Sequence, residues 1–390
     1  MFDALSTKKR TLRTPWRAVS AMFILNGALF GIWASRIPAA AARHDLAPGQ
    51  LGVLLLLMAA GAIVSFPLAG RAADRLGSAV ITRHIALAYI LSLIVIALMP
   101  NVWLLGVALF LFGMAHGAMD VAMNVWAAEV ERKSGRPLMS SFHAMFSFGA
   151  GLGAASGYVA ASANLSMQFH FIVAAGLFGA VTYWFSSIGW ISEKTVSMEA
   201  SPVFSLPKGP LFFVGFIAFC ASIGEGAMAD WSAIFLVEVA NANDANAALG
   251  YTLFSLAMVL TRLVGDRIIV ALGPVSAARL AGLVAASGSA LAVVSAEYLP
   301  VLLGFILMGI GYAVVMPLAF SRAANDSRHG QGQAIASVAT LGYGGMLLGP
   351  PLIGFAAEAT SIRFAFLILC GLALAIVVLA KILDVSASKA

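Results

Sequence analysis

Charge is what this chain lacks. Only 10% of its 390 residues are Asp, Glu, Lys or Arg, against about 25% in a typical soluble domain. A further 61% are apolar, and the mean hydropathy is +0.95. That balance excludes a water-soluble enzyme. Cysteine is almost absent: Cys220 and Cys370 each lie in an apolar run, without the spacing of a metal site or a disulfide framework, and both read as packing residues. The sequence holds no HExxH, no GxSxG and no Walker loop, so no intramembrane protease, serine hydrolase or ATP-driven pump is indicated. The chain reads as a non-enzyme with no cofactor and no metal. Its net charge of +6 would suggest nucleic acid in a soluble protein. In so apolar a chain it instead records Lys and Arg gathered in cytoplasmic loops, and no nucleic-acid partner is expected.

Long apolar runs are what the sequence has in abundance. Twelve can be drawn, near 16–38, 47–70, 79–99, 102–128, 138–162, 168–190, 209–237, 246–264, 275–295, 299–321, 331–357 and 362–383. At roughly 20 residues per crossing they use up the chain and leave no extramembrane domain. With the N-terminus inside, 20 of the 23 Lys and Arg fall in cytoplasmic segments, and only Arg36, Arg43 and Arg363 fall outside. One miscounted crossing would invert the later loops and destroy that bias, so it supports both the count and the orientation. The first run has no small-residue cleavage site behind it and reads as a retained helix. The expected fold is therefore an all-α membrane protein of 12 transmembrane helices with both termini cytoplasmic.

The two halves look alike. GRAADRLGSAVITR (70–83) after the second run is echoed by RLVGDRIIVALG (262–273) after the eighth, so Asp74-Arg75 recurs as Asp266-Arg267, 192 positions on. Trp33 similarly has a counterpart in Trp231. Two six-helix pseudo-repeats (6+6) follow, with a tail at 1–15, a first bundle at 16–190, a polar linker at 191–208, a second bundle at 209–383 and a tail at 384–390.

These features resemble the major facilitator superfamily of secondary transporters: twelve helices, a 6+6 layout and the GxxxDRxG loop of Gly70, Asp74, Arg75 and Gly77. The fourth run, FGMAHGAMDVAMNVWA (112–127), is similar to the fucose:proton symporter branch, where an acidic residue is followed four positions later by Asn, here Asp120 and Asn124. The loop departs from the superfamily pattern at Ser78 and Ala79, where a basic pair usually follows Gly77. The resemblance implies that Asp74, Arg75, Asp266 and Arg267 brace the outward-facing state across the two halves.

Three of the 17 acidic residues fall inside runs: Asp120, Glu225 and Asp230. A carboxylate there costs about 2.5 to 3.5 kcal/mol on insertion scales, so each is a functional candidate. No basic residue is expected at their depth, and an unpaired carboxyl in that setting tends to take up a proton. His116, Asp120 and Asn124, spaced by four, form one polar stripe on a helix. Asp120 is the first choice for proton exchange, with His116 and Glu225 as further proton-coupling groups. Asn26, Asn124 and Glu225 are the candidate solute contacts, because the first and seventh runs correspond and their midpoints should face the shared axis. Asp230 lies five residues beyond Glu225, about 140° round an ideal helix, so it is assigned a different role, an outer gate with Arg36.

Three functions compete. The first is a monomeric, proton-coupled carrier of a small polar, sugar-like solute across a bacterial inner membrane, with import favoured. The second is an exporter of amphipathic metabolites or drugs, which would show a cavity lined mostly by Phe and Met. The third is a membrane sensor or intramembrane enzyme without transport.

Overall fold

The computed structural model describes residues 12–135, 138–192, 207–326 and 331–384. It is helical throughout its described length: α1 (Pro15–Ser35), α2 (Ile37–Arg43), α3 (Pro48–Leu76), α4 (Ser78–Leu98), α5 (Val102–Ser134), α6 (Met139–Ser162), α7 (Met167–Ser186), α8 (Pro210–Ala240), α9 (Asp244–Leu272), α10 (Pro274–Val294), α11 (Tyr298–Tyr312), α12 (Val315–Ala324), α13 (Gln331–Ala359) and α14 (Ile362–Leu379), which ends in a 3-10 turn (Ala380–Leu383). Twelve of the resulting segments are long and apolar enough to cross a membrane, with α11 and α12 together making one. Most of the 191–208 linker, at 193–206, lies outside the described residues, as do the tails at 1–11 and 385–390.

Local chemistry sets the helix ends. Proline opens α1, α3, α8 and α10, where its missing N–H is no loss. Side-chain oxygens of Thr14, Asn101, Ser166, Asn243 and Ser361 accept a first-turn N–H in α1, α5, α7, α9 and α14. The GxxxDRxG loop is a tight turn in which Gly77, at φ 97°, ends α3 and begins α4. Gly273, at φ 76°, does the same between α9 and α10. Both turns need the left-handed backbone that glycine supplies. Asp74 and Arg75 do not hold the first turn. They are exposed, as is Arg267 in the second, and the side chain of Asp266 lies outside the described residues.

Two helix breaks place functional atoms. The first crossing stops at Arg36, and the short α2 begins at Ile37 with Pro38 in its first turn. The tenth crossing breaks between α11 and α12, and Pro317 follows the break. Proline has no N–H to give to the carbonyl four residues back, which here belongs to Ala313.

Packing is tightest where glycines remove side chains. Gly113 and Gly117 on α5 lie against the backbone of Met58 and Ala62 on α3, and a Cβ at either position would collide with it. Gly149 and Gly153 on α6 meet Ile24 and Ala28 on α1 in the same way. Between the first six spans and the last six, α3 packs on α13 and α6 on α9, while α1 touches α8 and α9. These contacts crowd the α2 end of the bundle: Gly157 meets Ala248 there, and Gly52 meets Pro350. α5 packs on α3 and α4 of its own side and has no extensive contact with α11 or α12.

Candidate functional site

The stripe expected on α5 is present, and its members point to different partners. Asn124 donates from Nδ2 to the Asp120 carbonyl at 2.8 Å and to Asp120 Oδ1 at 3.2 Å. The Asp120 carboxyl also faces the hydroxyl of Tyr343 on α13, and the Tyr343 ring packs 4.8 Å from Phe66 on α3. Asp120 and Tyr343 thereby face each other between the first six spans and the last six. One turn away, His116 Nδ1 lies 2.9 Å from the hydroxyl of Tyr89, a fully buried residue on α4. Its ring stacks on Phe30 of α1 at 5.1 Å.

Glu225 is not unpaired, and the expectation that no basic residue reaches its depth is corrected here. Arg262 Nη2 lies 3.3 Å from Glu225 Oε2. The sequence run was drawn to end at 264, which put Arg262 at its rim, whereas α9 continues unbroken to Leu272. Eight more residues at 1.5 Å each lower the helix end by about 12 Å. Arg262 also donates from Nη1 to Ser147 Oγ on α6 at 2.9 Å, and from Nε to the Ala313 carbonyl at 3.2 Å. That carbonyl is the one Pro317 cannot serve, so the break in the tenth crossing supplies an acceptor and a basic side chain fills it. The Arg262 and Glu225 side chains are 16% and 27% exposed, and the nearby His143 ring is exposed, edge-on to Phe23 at 5.4 Å. These partly exposed groups come from both sets of spans.

The Arg36–Asp230 pair expected as a gate does not form. Arg36 sits at the α1–α2 break and donates from Nη2 to the Leu165 carbonyl at 3.0 Å. Asp230 lies ten residues from the end of α8, about 15 Å deeper. It is 5% exposed, its Oδ1 has no hydrogen-bond partner within the protein, and it lines a cavity of about 40 Å³ with His116 and Tyr343. The rest of that lining is mostly apolar, including Phe30, Met58, Phe66 and Met346. Asn26 is fully buried on α1, with neither side-chain polar atom bonded within the protein, and it is not part of the cavity wall.

Sequence reasoning missed Tyr89, Ser147 and Arg262, and it did not single out Glu129. Glu129 is 1% exposed and accepts from Ser78 Oγ and Trp190 Nε1, each at 2.8 Å. Ser192 Oγ lies 3.0 Å from Ser78 Oγ and accepts from the Ala79 N–H at 3.1 Å. The Ser-Ala pair that departs from the usual basic pattern thus tethers the segment after α7 to α4 and α5. The sequence signal was the departure itself.

The profile of the Major Facilitator Superfamily matches residues 18–344 and, in a second match, 214–389. An uncharacterized transporter of Sinorhizobium fredii is 48% identical over 375 residues, covering 96% of this chain and 99% of that protein. An uncharacterized transporter of the same superfamily type from Yersinia pestis is 34% identical over 344 residues, covering 88% and 89%. Among solved structures, that of the nucleoside transporter NupG superposes with a TM-score of 0.74 at 14% identity, covering 95% of this chain and 98% of that one. Twelve candidate spans, the profile match and relatives aligned nearly end to end agree, and the chain belongs to the major facilitator superfamily of membrane transporters.

Proposed function

We propose that the protein is a proton-coupled secondary transporter that moves a small polar, sugar-like solute across the bacterial inner membrane by alternating access. It works as a monomer with cytoplasmic termini, and its six-helix halves (16–190 and 209–383) rock about the centre. The observation that carries this reading is the approach of the Tyr343 hydroxyl on α13 to the Asp120 carboxyl on α5, which sets a donor of one half against an acceptor of the other. An ionised carboxylate only accepts hydrogen bonds, whereas a protonated one must also donate. Proton uptake at Asp120 therefore weakens what it accepts from Tyr343 and Asn124 and loosens the tie between the halves. The Asp120–Asn124 spacing on this helix, which resembles the fucose:proton symporters, supports the same reading.

Glu225 adds a second coupling point. Its partner Arg262 also holds Ser147 on the other half, so a solute or proton that takes Glu225 changes what crosses the interface. The partly exposed side at His143, Glu225 and Arg262 faces the cytoplasm if both termini do, and the contacts crowded at the α2 end close the outside. Export of amphipathic cargo stays as the second reading because the cavity beside Asp230 is walled mostly by apolar side chains.

The test is solute-driven proton movement in liposomes. A sugar-like solute imposed as a gradient should alkalinise or acidify the lumen in step with its own flux. Proton movement driven only by amphipathic drugs selects the second reading, and solute flux with no proton movement refutes coupling.

A further inference from the structure

The cavity beside Asp230 is walled almost wholly by apolar surface, and three prolines lie in the helices that border it. Pro67 lies inside α3, and Pro350 and Pro351 lie inside α13. Each lacks the N–H that would serve the carbonyl four residues earlier. Those carbonyls belong to Ile63, Met346 and Leu347, and all three residues line this cavity. Asp230 adds a buried carboxyl oxygen with no partner in the protein. Few donors answer them. The Tyr343 hydroxyl faces Asp120, and of the His116 ring, bonded through Nδ1 to Tyr89, one nitrogen is left.

Backbone carbonyls freed by proline at membrane depth need another donor, and a buried carboxyl is relieved either by a proton or by a partner charge. One chemical group meets both demands. A primary ammonium has three N–H donors and no acceptor, and the faces of Phe30, Phe66 and Tyr343 around it would attract a cation. At about 40 Å³ the cavity suits a headgroup rather than a whole solute.

We infer that this cavity binds the primary ammonium group of the transported solute, with Asp230 as its carboxylate partner and the proline-freed carbonyls of α3 and α13 as further acceptors. This rests on the carrier reading above and narrows its solute to an amine-bearing one. The solute body extends toward Glu225 and Arg262, and the apolar lining belongs to a cation cage as much as to a drug pocket.

Binding to the purified full-length chain at neutral pH is measured by calorimetry with two matched pairs, glucosamine against glucose and cyclohexylamine against cyclohexanol. In at least one pair the amine should bind about tenfold or more tighter than the alcohol, the worth of a charged hydrogen bond. Asp230→Asn should remove that preference and leave alcohol binding within about twofold. Ala59→Leu, which enlarges a side chain of the cavity wall and leaves Asp230 in place, should weaken amine binding by a similar factor and covers the case in which the Asp230 variant does not fold. Equal affinity for amine and alcohol, or a preference that survives both substitutions, overturns the site. The carrier reading falls separately: amine binding with this pattern but no amine-driven proton flux keeps the site and refutes coupling. Proton-coupled uptake of neutral sugars without amine preference does the reverse.

Discussion

Replacing Arg262 by Met should cost stability mainly through the acid it leaves behind. Its guanidinium contacts Glu225 at 3.3 Å, Ser147 Oγ at 2.9 Å and the Ala313 carbonyl at 3.2 Å. Stranding one partner of a fully buried pair costs about 3 to 5 kcal/mol, and an exposed pair is worth at most about 1 kcal/mol. Side-chain exposures of 16% and 27% put this pair between those limits, so Arg262→Met should cost about 2 kcal/mol. Glu225→Gln keeps an acceptor for the guanidinium and should cost about half as much. In the double variant no charge is stranded, so its loss should fall short of the sum of the single losses by about 1 kcal/mol. The assay is reversible unfolding in mixed detergent micelles, run on all four proteins as a double-mutant cycle. Losses that add to within about 0.3 kcal/mol would refute the pairing and the depth assigned to Arg262.

Three further outcomes are expected. Gly113→Leu places a side chain where α5 meets the Met58 carbonyl of α3, so the yield of monodisperse protein on size exclusion should collapse, while Gly176→Leu, which meets nothing, should not change it. Glu129→Leu strands the buried donors of Ser78 and Trp190 and should cost about 1 to 3 kcal/mol by the same unfolding assay. It should also speed proteolysis after α7, and cleavage unchanged from wild type would contradict the tether. Tyr343→Phe removes the hydroxyl that faces Asp120 and should cut solute-driven proton flux about tenfold, the worth of one charged hydrogen bond, with apparent melting within about 2 °C of wild type.

The twelve spans were legible because hydropathy over 18 or more residues is a long, redundant signal. The ninth run, drawn at 275–295, became α10 at Pro274–Val294, and the seventh, drawn at 209–237, became α8 at Pro210–Ala240. What hydropathy cannot register is a polar group tolerated inside a helix because a neighbour serves it. Arg262 was set at the rim because a basic residue ordinarily ends an apolar run. Its true depth follows from Glu225 on α8 and the Ala313 carbonyl behind Pro317, both remote in sequence. The i, i+4 stripe on α5 was readable as one face, but its partners Tyr89 and Tyr343 come from α4 and α13, and no local period names them. Arg36 and Asp230 were paired on matched depth alone. The helix break at Arg36 and the interior position of Asp230 on α8 separate them. The Gly77 turn was read from its loop pattern, and there the local rule sufficed, because a positive φ depends on that residue alone.

The central claim is that proton exchange at Asp120 governs the tie between the two halves. In liposomes, Asp120→Asn keeps a side chain of the same shape that can still bond Tyr343 but cannot ionise. Solute exchange at equal concentrations on both sides needs no net proton transfer and should continue at a rate comparable to wild type. Proton movement driven by a solute gradient should vanish. Retention of that proton movement at the wild-type ratio to solute flux would contradict the account.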